Sequence, residues 1–187
     1  MATSIAAPPA ALLTADEFAA HYADARAELV QGVVKKLPMP GQKHGKVCLE
    51  IGFRIRQFLE TNDIGHATSN DSWVKVRSNP DIVRGSDVCF FSYDRLPKGG
   101  IPEGVLPAVP DLVVKVRSPS DRWKDVLVKV TEYLDAGVRV DVVLDPKTES
   151  ATVYRPDELQ QIVHNGDELT LPDVLPGFAV PVSRLFA

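Results

Sequence analysis

The run from Val109 to Trp123, VPDLVVKVRSPSDRW, constrains this chain more than any other stretch. Asp111, Val113, Lys115 and Arg117 alternate with Leu112, Val114 and Val116, the period of two that sends successive side chains to opposite faces of a strand. The run reads as a buried strand, broken by Ser118-Pro119 before a helix begins. Lys115 is its anomaly. An ammonium in so apolar a setting needs a partner, because an unpaired buried charge is very costly.

Patterning elsewhere gives the organisation. Thr14 and Glu17 form a capping box that opens a short helix over Ala15–Tyr22. Glu28–Leu37 reads as two short strands around Gly32, an early hairpin. From His44 to Thr61, Val47, Ile51, Ile55, Phe58 and Leu59 recur at helical spacing, with Lys46, Glu50, Arg54 and Gln57 on other faces. Strands are expected over Gly65–Ser69, Ser72–Arg77 and Ser86–Ser92. The Pro- and Gly-rich stretch from Tyr93 to Ala108 is long enough for a functional loop.

A second helix, about Asp121–Ala136, carries Trp123, Val126, Leu127, Val130 and Leu134 as its apolar face and stops at Gly137. Strands follow over Val138–Leu144, Ala151–Tyr154 and Gln160–His164, with turns at Asp145-Pro146 and Asn165-Gly166. LPGFAVPVSRLF closes the chain as an apolar tail laid on the core. The helix between the strands near 110 and 140 suits a right-handed crossover joining parallel neighbours. The fold class is therefore α/β: one domain with a central mixed β-sheet flanked by helices, preceded by a helix and a β-hairpin.

The 187 residues suffice for one domain with a sizeable core. We read residues 1–12 as a loose leader and 13–187 as the domain. MATSIAAPPAALL has no basic n-region, and Pro8-Pro9 interrupts its apolar run, so it is expected to be neither a signal peptide nor a membrane span. Cys48 and Cys89 are too few for a disulfide framework and sit in apolar runs. Buried free thiols in a reducing, cytoplasmic compartment are expected. The formal net charge of −4 argues against binding nucleic acid through bulk charge but permits a local basic groove.

No Gly-rich phosphate loop or nucleophile elbow is present. The histidines lack metal-ligand spacing. His44, beside Lys43 and Lys46, could help bind an anion at a helix start, although a simple polar first-turn residue is the more frequent role. Asp87 begins an apolar strand and could merely cap a turn. Lys129 follows Asp125 by four residues and could form only a surface helix pair. If the strands near 87 and 115 pair, however, Asp87, Lys115 and Lys129 converge. A hard cation would need carboxylates from neighbouring strands there, and a lysine could balance charge developing on a phosphate.

Several separated motifs occur in one order: Glu28-Leu-Val-Gln-Gly32, His44, Ser86-Asp-Val88, Pro110-Asp-Leu-Val-Val-Lys-Val-Arg-Ser-Pro-Ser120, Lys129–Gly137 and Leu144-Asp-Pro146. With VYRPD at 153–157 and VLPGF at 174–178, this pattern resembles the Uma-two family of restriction endonucleases in the PD-(D/E)xK superfamily, from Leu13 to Phe186. The resemblance implies a restriction-endonuclease-like fold and Mg²⁺-dependent phosphodiester hydrolysis in DNA, performed by a homodimer. It implies Asp87 as the first metal carboxylate and Lys129 as the superfamily lysine, with Glu28 and His44 beside them. Two positions depart from the pattern. Ser86 stands where the family usually has Pro. Lys115 stands where it usually has Glu.

Lys115 removes a metal ligand and brings a positive charge to the cation site, so it opposes Mg²⁺ binding and could instead pair with Asp87. Three readings follow. The chain could be a catalytically impaired endonuclease that retains DNA binding through Lys35, Lys36, Lys43, Lys46, Arg84, Arg117, Arg122 and Lys124. It could be an active one whose metal is held by Asp87 with Glu28 or Asp111, although Asp111 lies roughly 13 Å along the strand from Lys115. Or it could be a non-catalytic interaction or dimerisation module.

Overall fold

The structure, a computed structural model, describes residues 12–187. The expected leader thus lies almost wholly outside the described residues. Helix α1 (Ala15–Tyr22) is opened by the Thr14/Glu17 capping box, with both reciprocal hydrogen bonds made. The hairpin β1 (Ala27–Val30) and β2 (Val33–Lys36) turns through Gln31 and Gly32, both at positive φ, as a two-residue turn matched to strand twist requires. Helix α2 (Gln42–Thr61) buries Val47, Ile51, Ile55 and Leu59 at the expected spacing.

Two expected strands merge into one. β3 (Gly65–Arg77) runs unbroken through Asn70 and Asp71, whose positive φ values absorb a register shift against β4 (Ile82–Ser92). β5 (Leu112–Val116) is the strand the sequence marks most clearly. It runs antiparallel to β4 and parallel to β6 (Val140–Asp145), with α3 (Trp123–Asp135) between β5 and β6 in the chain. β7 (Ser150–Tyr154) and β8 (Gln161–Val163) complete an eight-stranded mixed sheet ordered β2-β1-β4-β5-β6-β7-β8, with β3 also on β4. This is the expected α/β class.

One layer of core lies between the sheet and α2. Val88, Phe90, Leu112, Val114, Val116, Val142 and Leu144 meet the α2 side chains there. The C-terminal segment is more ordered than a tail. β9 (Glu168–Leu171) and β10 (Leu175–Pro181) form a two-stranded sheet, and α4 (Val182–Phe186) follows, all contributing buried residues to that core.

The apolar face of α3 is rotated from expectation. Val126, Val130 and Tyr133 are buried, whereas Trp123 and Leu127 are 40% and 41% exposed. The Trp123 ring instead packs under the Arg117 guanidinium, 4.5 Å from its centroid.

Candidate active-site cleft

The site sits where one edge of β4 changes partner. Along its other edge β4 pairs with β3 from Ile82 to Ser92, interrupted by the bulge opposite Asp87. On this edge it meets β1 at Val83 and β5 only at Val88, Cys89 and Phe90. Residues 84–87 therefore face a gap in the sheet. Backbone groups in a buried gap still need partners, and side chains provide them. Glu28 Oε1 accepts the Gly85 N–H at 3.1 Å, Tyr133 donates to the Gly85 carbonyl at 3.1 Å, and Asp87 Oδ2 accepts the Val116 N–H at 2.7 Å. Two of these three side chains, Glu28 and Asp87, are residues expected to carry chemistry; Tyr133 is not.

Register places Asp87 opposite Lys115, one step beyond the Val88–Val114 pair. Lys115 Nζ lies 3.0 Å from Asp87 Oδ2, and His44 Nε2 lies 3.4 Å from Oδ1. Burial alone would push the Asp87 carboxyl up. The hydrogen bond from His44, the Lys115 charge and the Val116 N–H outweigh it and hold the group down at about 2. Burial likewise works against the Lys115 ammonium, but Asp87 overcomes it and keeps the lysine protonated. The pair is an ion pair at neutral pH.

His44 is thus no ordinary first-turn residue: it is buried, and the α2 N-terminus aims it at Asp87 rather than at solvent. One helical turn later, Cys48 Sγ lies 3.4 Å from His44 Nδ1. Burial, reinforced by Asp87, pushes this thiol up to about 12, so it is protonated.

A second cluster surrounds Glu28. Lys129 reaches across from α3 to Glu28 Oε1 at 2.6 Å, and Arg84 donates to Oε2 at 2.9 Å. Arg84 also binds Glu132 through two hydrogen bonds. Burial opposes ionisation of Glu28, but Lys129, Arg84 and the Gly85 N–H together lower its carboxyl below the usual range. Lys129 therefore joins the site and does not spend itself on Asp125.

The two clusters line a cleft of about 220 Å³, with Glu28, His44, Lys115 and Lys129 in its walls. Leu37–Gly41 forms one rim and Ser118–Asp121 the other. Asp121 Oδ2 caps its own turn by accepting the Ser118 N–H at 2.9 Å. The Ser-x-x-Asp spacing signals that cap in the sequence. Asp71, which also lines the cleft, is paired with Arg26 at 2.8 Å.

The residues expected to contact DNA divide. Lys35, Lys36, Lys46, Arg122 and Lys124 are exposed, as is Lys43, whose ammonium donates to the Pro146 carbonyl at 2.7 Å. Arg84 is instead buried between two glutamates, and Arg117 is held by Asp145, the Asp121 carbonyl and Trp123. Neither presents a free guanidinium. Asp111 does not substitute for the missing Glu. It sits at the far end of β5, accepting the Ser92 N–H at 2.8 Å and pairing with Arg95 at 3.1 Å.

A family model described as "Putative restriction endonuclease", Uma2, matches residues 15–183. The chain belongs to the Uma2 family. Among solved structures, this Uma2 chain is similar to one from Anabaena variabilis described as a putative nuclease. The two share 21% identity and superpose with a TM-score of 0.79, over 93% of this chain and 97% of that one. No curated protein matches.

Nucleases of this kind generally depend on a metal, which the Uma2 cleft must therefore be tested against. Mg²⁺ demands near-octahedral oxygen ligation and takes one or two carboxylates plus water. Here Asp87 gives one oxygen to an ammonium and a backbone N–H, and the other to His44. Both Glu28 oxygens are committed to cations and the Gly85 N–H. The residues present do not fit Mg²⁺.

Proposed function

We propose that this chain is a DNA-binding Uma2 protein whose catalytic metal site is closed, leaving little or no Mg²⁺-dependent phosphodiester cleavage. The observation that carries the reading is the 3.0 Å contact between Lys115 Nζ and Asp87 Oδ2. The ammonium takes the place of the cation beside the carboxylate and preserves the charge balance that holds the fold. A second carboxylate at position 115 would complete a Mg²⁺ site; a lysine repels a cation held by Asp87 alone.

DNA binding is supported by the cleft rims. Leu37–Gly41 is bracketed by Lys35 and Lys36 before it and by Lys43 and Lys46 after it. Ser118–Asp121 is followed by Arg122 and Lys124. Six cations beside two rims form a local positive border on an acidic protein, which suits phosphate contact without bulk attraction. A homodimer, presenting two such clefts to the two strands of a duplex, belongs to the same reading. So does a reducing cytoplasmic setting, in keeping with the two free thiols.

Plasmid nicking with Mg²⁺ or Mn²⁺ tests the closed site. The wild type is expected to cut no faster than Asp87→Ala, and Lys115→Glu to gain cleavage. Robust wild-type cutting that disappears in Asp87→Ala would overturn the reading. Affinity for a DNA duplex, measured against salt, tests the second part: each phosphate contact contributes about 0.9 to the log–log slope. A flat dependence would remove DNA from the proposal.

A further inference from the structure

From His44, Cys48 and Asp87 we infer a binding site for a borderline-soft transition-metal ion, Zn²⁺ in chemical class, behind the cleft wall at His44. The three residues offer an imidazole nitrogen, a sulfur and a carboxylate oxygen within 4.8 Å of one another. His44 Nε2 lies 3.4 Å from Asp87 Oδ1 and 4.0 Å from Cys48 Sγ. Zinc bonds of about 2.0–2.3 Å at tetrahedral angles separate donor atoms by roughly 3.3–3.7 Å. Side-chain adjustments of up to about 1 Å bring the donors, which lie within 4.8 Å of one another, to that geometry.

The framework around the donors suits the same ion. His44 and Cys48 lie one turn apart on α2, so their separation is set by the helix. Asp87 Oδ2 is fixed by Lys115 and the Val116 N–H, which orients Oδ1 toward the imidazole. Such outer contacts are what hold a metal-ligating carboxylate in place. Of the three, His44 lines the cleft, so an ion would approach the donors from that side.

Charge decides which cation fits. Asp87 is already neutralised by Lys115, so a divalent ion needs further negative charge. Cys48 supplies it only to an ion that binds thiolate, and Mg²⁺ is not one. With His44 Nε2–H donating to Asp87, Nδ1 is the nitrogen open to accept the thiol proton. When the ion binds Sγ and Nε2, the thiol proton moves to Nδ1 and the Nε2 proton leaves to solvent.

The inference rests on the reading that Mg²⁺ does not claim Asp87, and one titration separates the two. Co²⁺ added to the whole protein is expected to produce a near-ultraviolet thiolate-to-cobalt band at one equivalent, removed by Zn²⁺ and untouched by millimolar Mg²⁺. Cys48→Ser should abolish the band, and His44→Gln should weaken Co²⁺ binding more than about 100-fold, beyond the usual cost of an outer-shell change. Cys89→Ser, at the other thiol, should keep the band. Circular dichroism of each variant confirms folding. A missing band in the wild type, or one that survives Cys48→Ser, overturns the metal site. A band erased by Mg²⁺ overturns instead the reading that the hard-metal site is closed.

Discussion

Asp87 in β4 and Asp141 in β6 flank β5 from opposite sides, and both are withdrawn from solvent. Asp87 is ionised, with its carboxyl held at about 2. Asp141 has no hydrogen-bond partner for either oxygen among the described residues, and burial pushes its carboxyl up to about 8, with Lys115 pulling only weakly the other way. The difference comes from the sheet. Asp141 lies in a strand paired on both sides, opposite Val113 and Tyr154, so neighbouring backbone donors are already used. Asp87 lies at the gap in β4, where the Val116 N–H, His44 and Lys115 are free to answer it. A complete ladder offers a buried carboxylate nothing, whereas a broken one can solvate it.

Removing the cation from the gap should have the largest effect. Lys115→Met leaves Asp87 charged and buried beside an apolar side chain, and breaking such a pair costs about 3 kcal/mol. Lys115 is 18% exposed, which keeps the expected loss at the lower end of the usual range. Urea denaturation at neutral pH measures it. A loss under about 1 kcal/mol would mean that His44 and the Val116 N–H suffice, and that the lysine is not what stabilises Asp87.

Acid dependence should divide the two aspartates by sign. Asp87, with a lowered folded-state pKa, contributes stability that is present above the unfolded value near 3.8 and is lost as pH falls through about 2. Asp141, with a raised one, contributes stability that is full below about 3.8 and is lost progressively as pH rises toward 8, because the unfolded chain ionises there while the folded chain keeps its proton. Asp141→Asn should therefore flatten the decline between these values and stabilise the protein at pH 8, by about 2 kcal/mol. Unfolding curves across pH 4–8 with an unchanged slope would show that Asp141 finds a partner.

How much of this was legible follows the same division. Period-two patterning located β5 and singled out Lys115, and strand pairing alone was then enough to set it against Asp87. The motif resemblance implies Glu28 and Lys129 as site residues, and the structure puts them in contact. Arg84 reads as a DNA-contacting cation, and only the β1–β4 and α3 packing reveals its two glutamate partners. Cys48 reads from the sequence only as a buried free thiol, because its proximity to Asp87 depends on β4 arriving beside α2. Asp141 hides in VDVVLD, where nothing local shows that both flanking strands will be paired. β10 and α4 read as a tail because β10 pairs with β9 after a short turn rather than alternating over a long run.

The Glu28 cluster supplies the finer contrast, since it holds one carboxylate with two cations where Asp87 has a single lysine. Lys129→Met should cost only about 1 kcal/mol, because Glu28 keeps Arg84 at 2.9 Å and the Gly85 N–H at 3.1 Å. Lys129 is also partly exposed, which weakens its pair with Glu28 relative to a buried one. Arg84→Met should cost more than Lys129→Met, since Arg84 is buried and ties Glu28 to Glu132 as well. The order to be measured by urea denaturation is therefore Lys115→Met above Lys129→Met, two lysines of similar exposure that differ in whether their carboxylate has a second cation. Equal losses would break the comparison, because they would mean that Arg84 gives Glu28 no cover when Lys129 is gone.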